Sequence, residues 1–354
     1  MAHNSSLCVG FFLCFLFGGV LPDPEDTEAN KEDEMWRVIW LGPVVIGLFT
    51  ILMTLFVMRL EPVAYCMMTG RNDEGCRHLA KIYRKKQPDS DEKIEDILGS
   101  QFTSLRSSTA LDASTVTSRE AICGTKYRKG TFVASMINFF NQSTGLSAVL
   151  IYANRLLVKM QEDGGADEFP LTPIQGTYMV GASNMIFALL VIFYIERIGR
   201  RPIMIAGHFF MSVFLFLCGL GIQNSWNMVS FVMILLFVGS YQLSTGSISW
   251  LYVPEICVDA ATGFAVAIQF TAQTVIALTF EYMINSSLKA YGSIWIFSAF
   301  TFVGFLYMIF VMKETRGLTD LQKKTLYSPV SAVEQTGAGV ELVNTIKPTP
   351  GDNE

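Results

Sequence analysis

The chain has 354 residues, of which 51% are hydrophobic and only 16% are charged, and its formal net charge is −5. Soluble domains carry about a quarter charged residues, so this composition excludes an ordinary soluble domain. It predicts an all-α membrane protein built from long apolar helices. Acidic and basic residues fall in different loops, and no pattern typical of a nucleic-acid partner is present.

The first apolar run, 6–21, is short enough to be the core of a signal peptide. No Lys or Arg precedes it and no Ala-x-Ala cleavage site follows it, which favours a transmembrane span. Seven further runs are long enough to cross a bilayer, at 36–58, 130–153, 174–195, 203–223, 228–252, 263–284 and 293–312. The sequence therefore predicts about eight transmembrane helices.

The loops between these runs alternate in charge. Segments 22–35 and 159–170 are acidic, whereas 59–129, 197–201 and the segment after 312 are rich in Lys and Arg. Under the positive-inside rule the basic loops and both termini lie in the cytosol. We therefore expect a multi-pass protein of the plasma membrane.

Four regions follow from this map. Residues 1–58 hold two N-terminal spans, and 59–129 form a cytosolic helical loop that ends in a Ser/Thr-rich linker. Residues 130–312 form a six-helix bundle, and 313–354 form a cytosolic, largely disordered tail.

Uncharged polar side chains interrupt the apolar spans. In the span from 130, Asn138, Asn141, Gln142 and Tyr152 recur at helical spacing on one face. Later spans add further polar and aromatic side chains, among them Asn184, Gln242, Ser247, Ser249, Trp250, Gln269 and Gln273. Polar groups are costly in hydrocarbon and usually face a cavity, and amides with aromatic rings suit a neutral polyol. The alternative is that the same groups only bond helix to helix.

Catalysis has little support in the sequence. His3, His78 and His208 are isolated, and no Ser-His-Asp arrangement, intramembrane carboxylate pair or phosphate-binding glycine loop is present. Neither an enzyme nor a metal or other cofactor is predicted.

Four motifs in register give the chain a family resemblance. The charged turn 196–201, Glu-Arg-Ile-Gly-Arg-Arg, is similar to a [DE]-R-x-G-R-R turn; 141–145, 250–255 and 314–319 are similar to Q-Q-x-S-G, P-W-x-x-x-x-E and P-E-T-K-G. With these the chain resembles the sugar porters of the major facilitator superfamily. The resemblance implies a major-facilitator-type helical bundle. It also implies that 6–21 is the family's fifth helix, with the first four absent.

The resemblance implies roles for the matched positions. The candidate sugar-binding residues are Asn141, Gln142, Ser147, Asn184, Gln242 and Trp250. A second set would tie the cytosolic helix ends together as a gate; it comprises Glu196, Arg197, Arg200, Arg201, Glu255 and Glu314. Three of the candidate sugar-binding positions depart from the family pattern, since Asn141 stands for a Gln, Ser147 for an Asn, and Gln242 for a Glu of the glucose facilitators.

Other departures concern the gate. Ser247 and Ser249 stand where the family has prolines, which predicts that the helix break at the gate is missing. Thr262 occupies an arginine position after Glu255, and Ala64 occupies another near Glu61. The cytosolic network is therefore expected to have lost two arginines.

Two functions remain open from the sequence. The leading hypothesis is a sugar-transporter-like carrier that moves a hexose or similar polyol by alternating access. The alternative is a degenerate, non-transporting relative that acts as a sugar sensor or interaction protein. The expected partners are a small-molecule sugar, the lipid bilayer, and a partner bundle or second copy in place of the missing helices.

Overall fold

The computed structural model describes residues 2–18, 34–56, 61–69, 71, 73–75, 77–78, 81, 117–163 and 171–329. All regular structure in these ranges is helical. Most of the predicted cytosolic loop 59–129, and the tail beyond 329, lie outside the described residues.

The helices fall into two units. The smaller unit, within 20–117, contains α2 (Met35–Phe56) and α3 (Val63–Met68). The larger unit takes in 1–19, 118–318 and the chain from 322. Its helices are α1 (Ala2–Gly18), α4 (Ser118–Cys123), α5 (Arg128–Ser143), α6 (Leu146–Ile151), α7 (Ala153–Asp163), α8 (Pro173–Ile198), α9 (Arg200–Gln223), α10 (Asn227–Leu243), α11 (Thr245–Ile256), α12 (Asp259–Asn285), α13 (Lys289–Phe310) and, from Gln322, α14 (Asp320–Thr325).

Six segments of the described chain are long and apolar enough to cross a bilayer. They are Ile39–Phe56, Pro173–Ile195, Arg200–Gln223, Asn227–Ile256, Asp259–Asn285 and Lys289–Phe310. The predicted run 6–21 contains a shorter apolar helical segment, Ser6–Gly18. The chain is thus an all-α membrane protein, and six of the eight predicted runs form helical segments of spanning length.

The predicted span 130–153 is interrupted rather than continuous. Gly145 has a φ of +81°, which separates α5 from α6, and glycine adopts this left-handed conformation without the penalty that a Cβ would bring. A Cβ at Gly145 would also come within 2.6 Å of the Phe297 ring. The apolar pattern predicted the span but not the turn inside it.

The predicted span 228–252 is also broken, although its serines replace the family's prolines. Ser244, with φ −127° and ψ −98°, separates α10 from α11. Side chains donate to carbonyls around the break: Ser247 Oγ to Gln242 O at 2.9 Å, and Tyr194 Oη to Leu243 O. Because backbone carbonyls in a membrane need internal donors, these contacts stabilise a break that proline does not impose.

The apolar core of the larger unit lies between α9 and its neighbours. α9 packs against both α10 and α13, α5 packs against α12, and α1 packs against α8. Fully buried side chains at the centre include Met211, Leu215, Phe231, Phe237 and Phe280. This packing fixes the positions of the interrupted helices and their polar side chains.

Candidate functional site

A cavity of about 500 Å³ lies where the interrupted helices meet. Polar and aromatic side chains line part of it, and those are Gln142, Ser147, Asn184, Tyr241, Gln242, Trp250, Gln269, Phe270 and Gln273. Leu7, Cys8 and Phe11 of α1 lie at the same cavity and give it an apolar wall. Five of the six candidate binding residues are therefore brought together from five different helices.

Gln142 is held in a fixed orientation at the cavity. Its Nε2 donates to Asn141 Oδ1 at 3.2 Å, and its Oε1 accepts from Ser147 Oγ at 2.7 Å. Ser147 is located on α6, just after the turn at Gly145. The turn thus sets the distance between the Gln142 amide and the Ser147 hydroxyl.

Asn184 and Gln242 form a second polar pair in the cavity wall. Gln242 Nε2 donates to Asn184 Oδ1 at 2.5 Å. Asn184 is completely buried, and no oxygen or nitrogen acceptor reaches its Nδ2 within the described chain; its neighbour is the Cys8 thiol, a weak acceptor. A buried amide without a good acceptor is costly, and a ligand hydroxyl would satisfy it.

Asn141 does not line the cavity but supports it from behind. It is 0% exposed, and its Nδ2 donates to Thr245 O at 3.1 Å and to Ser249 Oγ. Its Oδ1 accepts from Tyr241 Oη at 2.7 Å. Asn141 therefore connects α5 to both sides of the break at Ser244.

Several lining residues were not in the candidate set, among them Cys8, Tyr241, Gln269 and Gln273. The signal for the glutamines was present, because residues four apart share one face of a helix. Trp250 and Phe270 are 38% and 52% exposed in the unit. They present aromatic surface at the open side of the cavity.

A charged cluster lies at one end of the bundle, centred on the Glu314 carboxylate. It accepts backbone N–H groups from Arg200 at 3.0 Å and Arg201 at 2.9 Å, the first residues of α9. It also accepts from Thr315 at 3.0 Å and Arg316 at 2.9 Å. Burial opposes ionisation, but these four donors prevail and lower the pKa of Glu314. Glu314 thus caps α9, where a negative charge meets the positive end of the helix.

The turn at Gly199 allows this capping. Its φ is +100°, and a Cβ there would lie 2.9 Å from the Glu314 carboxylate. Only glycine fits both the backbone conformation and the close approach.

Glu255 forms the second centre of the cluster. Its carboxylate pairs with Arg200 Nη2 at 3.2 Å and with Lys323 Nζ at 3.1 Å, and accepts from Thr315 Oγ1 at 2.7 Å. The three charged side chains are only 12% to 17% exposed. Such pairs are screened by salt much less than surface pairs are.

Lys323 is a member of this cluster that sequence reasoning missed. It lies on the short helix α14 after the last span, where no motif marked it. Thr262, which the resemblance places at an arginine position, instead donates at 3.2 Å to the carbonyl oxygen of Val258, the residue just before α12. Lys323 thus gives Glu255 a second cation.

The remaining candidates of the charged turn have separate partners. Arg201 Nη2 donates to Ile309 O at 2.9 Å, and Arg316 Nη1 donates to Arg197 O at 2.5 Å. The side chain of Glu196 lies outside what the structure describes.

A family model described as "Sugar (and other) transporter" matches residues 1–325. Among curated relatives, the chain is 26% identical to the facilitated trehalose transporter Tret1 of Drosophila willistoni, over 90% of this chain and 35% of that protein. It is 26% identical to the glucose transporter GlcP of Staphylococcus epidermidis, over 82% and 62%. It is 28% identical to the facilitated glucose transporter member 3 of Canis lupus familiaris, over 81% and 56%. The chain therefore spans 35% to 62% of the length of these relatives.

Solved structures show the same fold. The proton:xylose symporter XylE bound to 6-bromo-6-deoxy-D-glucose superposes with a TM-score of 0.71 at 22% identity, over 92% of this chain and 66% of that one. The inward-open conformation of XylE from E. coli gives 0.63 at 20% identity, over 92% and 64%. The bundle therefore has the major facilitator fold, as predicted.

Proposed function

The chain belongs to the sugar (and other) transporter family, and from this premise we propose that it is a membrane carrier that moves a hexose or a similar polyol by alternating access. The observation that carries the proposal is the convergence of five candidate residues on one cavity of about 500 Å³. The relatives it matches are named as transporters, so the proposal includes no chemical step and no cofactor.

The cavity offers the groups that a sugar needs. The Nδ2 of Asn184, which no oxygen or nitrogen acceptor reaches within the described chain, donates to a sugar hydroxyl, and the amides of Gln142, Gln269 and Gln273 both donate and accept. The exposed ring of Trp250 stacks on the apolar face of the sugar. These roles follow from side-chain chemistry and from position at the cavity.

Alternating access requires elements that have two arrangements. The break at Ser244 is one such element, because it separates α10 from α11 next to the cavity and so lets the two helices change their relative angle. The cluster around Glu255 and Glu314 is the other, because its ion pairs join helix ends and can separate. We assign the cluster to the cytosolic side of the plasma membrane, with both termini, since its arginines and lysines follow the positive-inside rule.

A non-transporting relative that senses a sugar or binds a partner is the competing proposal. It is favoured by the hydrogen bonds that Asn141 and Gln142 already make within the protein. On either proposal, a partner bundle or a second copy would cover the open side of the cavity at Trp250 and Phe270.

Uptake and binding together separate the two proposals. We expect transporter-null cells that display the chain to take up a radiolabelled hexose or polyol, and Gln142→Ala to lower both uptake and affinity. Gln223→Ala, at the exposed end of α9, is the matched control and should leave both unchanged. Binding without uptake would select the sensor, whereas neither binding nor uptake for any tested sugar would reject both proposals.

A further inference from the structure

A second cavity lies outside the sugar-binding cavity, at the end of the bundle that carries the Glu255 cluster. Its volume is about 860 Å³, and it runs between α5, α12 and the end of α13. We call it the basic groove, and its defining residues are Arg128, Lys129, Phe132, Phe264, Phe310 and Lys313.

The rim of the groove is cationic. Arg128 and Lys129 begin α5 and are exposed, and no carboxylate lies within ion-pair distance of either one in the described part of the chain. Lys313 lies at the same rim, where its Nζ donates to Leu326 O at 3.1 Å. Three positive side chains thus line one mouth, and among the described residues no carboxylate pairs with any of them.

Below the rim the groove is apolar. Phe132 is 61% exposed, Phe264 39% and Phe310 81%. Phe132 follows Arg128 by one helical turn, so the wall continues from the charged rim towards the centre of the membrane. An apolar channel below a cluster of cations matches a molecule with a hydrocarbon chain and an anionic head.

One buried polar group also points to a ligand. Ser135 lines the groove and is 6% exposed, and its Oγ has no hydrogen-bond partner among the described residues. It lies on the same face of α5, one turn beyond Phe132. An ester or glycerol oxygen in the groove would accept its hydrogen.

We propose that the basic groove binds an anionic phospholipid of the cytosolic leaflet, with the phosphate between Arg128, Lys129 and Lys313 and an acyl chain along the phenylalanines. The proposal rests on the orientation assigned above. Basic pockets between transmembrane helices on the cytoplasmic side are suited to anionic head groups. The head group and the chain are both required, so a free phosphate does not substitute.

Lipid competition on the purified full chain tests the proposal. We expect protein from nanodiscs containing equimolar palmitoyl-oleoyl phosphatidylserine and phosphatidylcholine to retain phosphatidylserine in native mass spectra. The variant Arg128→Gln/Lys129→Gln should lose about tenfold or more in that retention, since each cation near the surface contributes to anionic lipid binding. Lys129→Arg should retain the preference, because the charge remains.

The matched control is Arg119→Gln/Lys126→Gln, which removes the same charge near the groove from residues that do not line it. Equal retention of the two lipids by the wild type would overturn the proposal, as would unchanged retention in Arg128→Gln/Lys129→Gln or an equal loss in the control. Displacement of the lipid by soluble glycerophosphoserine would also overturn it, by showing a phosphate site that needs no chain. Lipid retention does not depend on sugar transport, so a failed carrier proposal leaves this test intact.

Discussion

Asn141 and Gln142 are neighbours in sequence with different surroundings. Gln142 lines the cavity, whereas Asn141 is completely buried and donates to Thr245 O at 3.1 Å. Loss of a buried amide leaves its former partners unpaired, which costs about 1–3 kcal/mol per group. The two amides are therefore expected to fail in different ways when truncated.

We predict that Asn141→Ala lowers the thermal stability of the purified protein, because Thr245 O and Tyr241 Oη lose their partner. Gln142→Ala should weaken sugar binding with a smaller loss of stability. Thermal unfolding and sugar titration of both variants measure the two effects. Equal losses of stability in the two variants, with sugar affinity unchanged in Gln142→Ala, would contradict this distinction. Gln142 would then contribute to helix packing and not to sugar binding.

Glu314 is the residue at which pH should matter most for the charged cluster. Its carboxylate accepts four backbone N–H groups, and its pKa is lowered from the ordinary 4.5. A lowered pKa contributes stability above the unfolded value, and that contribution is lost as pH falls through the folded pKa. A neutral amide accepts these N–H groups less strongly than a carboxylate does, and solvent reaches this helix end, so Glu314→Gln should cost about 1 kcal/mol at neutral pH.

The pH series supplies the check on Glu314. The difference in unfolding midpoint between the wild type and Glu314→Gln should be constant well above pH 4.5 and should shrink below it. Glu281→Gln is the control, because its ion pair with Arg155 is exposed on both sides and contributes little. If the difference in unfolding midpoint does not change with pH, the negative charge of Glu314 is not what stabilises the N-terminus of α9.

At the scale of elements, the apolar pattern predicted most spans but neither internal break. Hydropathy averages over about twenty residues, so a turn of one or two residues inside a run leaves no trace in it. Gly145 breaks its helix through its left-handed backbone conformation. At Ser244, Asn141 and Tyr194 of other helices donate hydrogen bonds to the carbonyl oxygens on either side of the break. Those donors become visible only when distant helices are placed together.

The charged cluster was likewise only partly predictable from the sequence. Motif resemblance named Glu255 and Glu314 beside the charged turn, and the structure brings both carboxylates to α9. Lys323 was missed because α14 is short and polar, without periodicity or motif. Lys323 pairs with Glu255 only because the chain after the last span folds back against the end of α11.

We predict that α14 is coupled to α11 through Lys323. In a double-mutant cycle, Glu255→Gln and Lys323→Gln should show a coupling energy of about 1 kcal/mol or more in unfolding measurements, because both side chains are largely buried. The exposed pair Arg155–Glu281 is the matched comparison and should give about 0–0.5 kcal/mol. Additive single-variant effects at Lys323 would refute the coupling.

At the scale of the whole molecule, one helix joins the two candidate sites. α11 carries Trp250 at the cavity and Glu255 in the charged cluster. Five residues of helix span about 7.5 Å, so a tilt of α11 that accommodates a sugar also moves Glu255 relative to its partners. Ligand binding and cluster opening are then linked in both directions.

Cys257 directly follows α11 and reports on this linkage. It is 3% exposed, and burial raises the pKa of its thiol to about 12, which keeps it unreactive while the cluster is closed. We predict that Glu255→Gln speeds its labelling by a membrane-impermeant maleimide in inside-out vesicles. The background replaces the other cysteines by serine, and the rate should rise about fivefold if the lost pairs contributed ~1 kcal/mol to the closed state.

Two comparisons give the labelling experiment its meaning. Glu281→Gln removes a carboxylate from an exposed pair outside the cluster and should leave the rate at Cys257 unchanged. A transported sugar should alter the rate in the wild type, because a ligand that prefers one arrangement shifts the population towards it. A sugar that binds without altering the rate of Cys257 labelling would show that the cavity and the charged cluster are not coupled. That result would favour the sensor proposal. An unchanged rate of Cys257 labelling in Glu255→Gln would show that the cluster is not part of the gate. Its ion pairs would then not stabilise the closed arrangement of the helix ends over the open one.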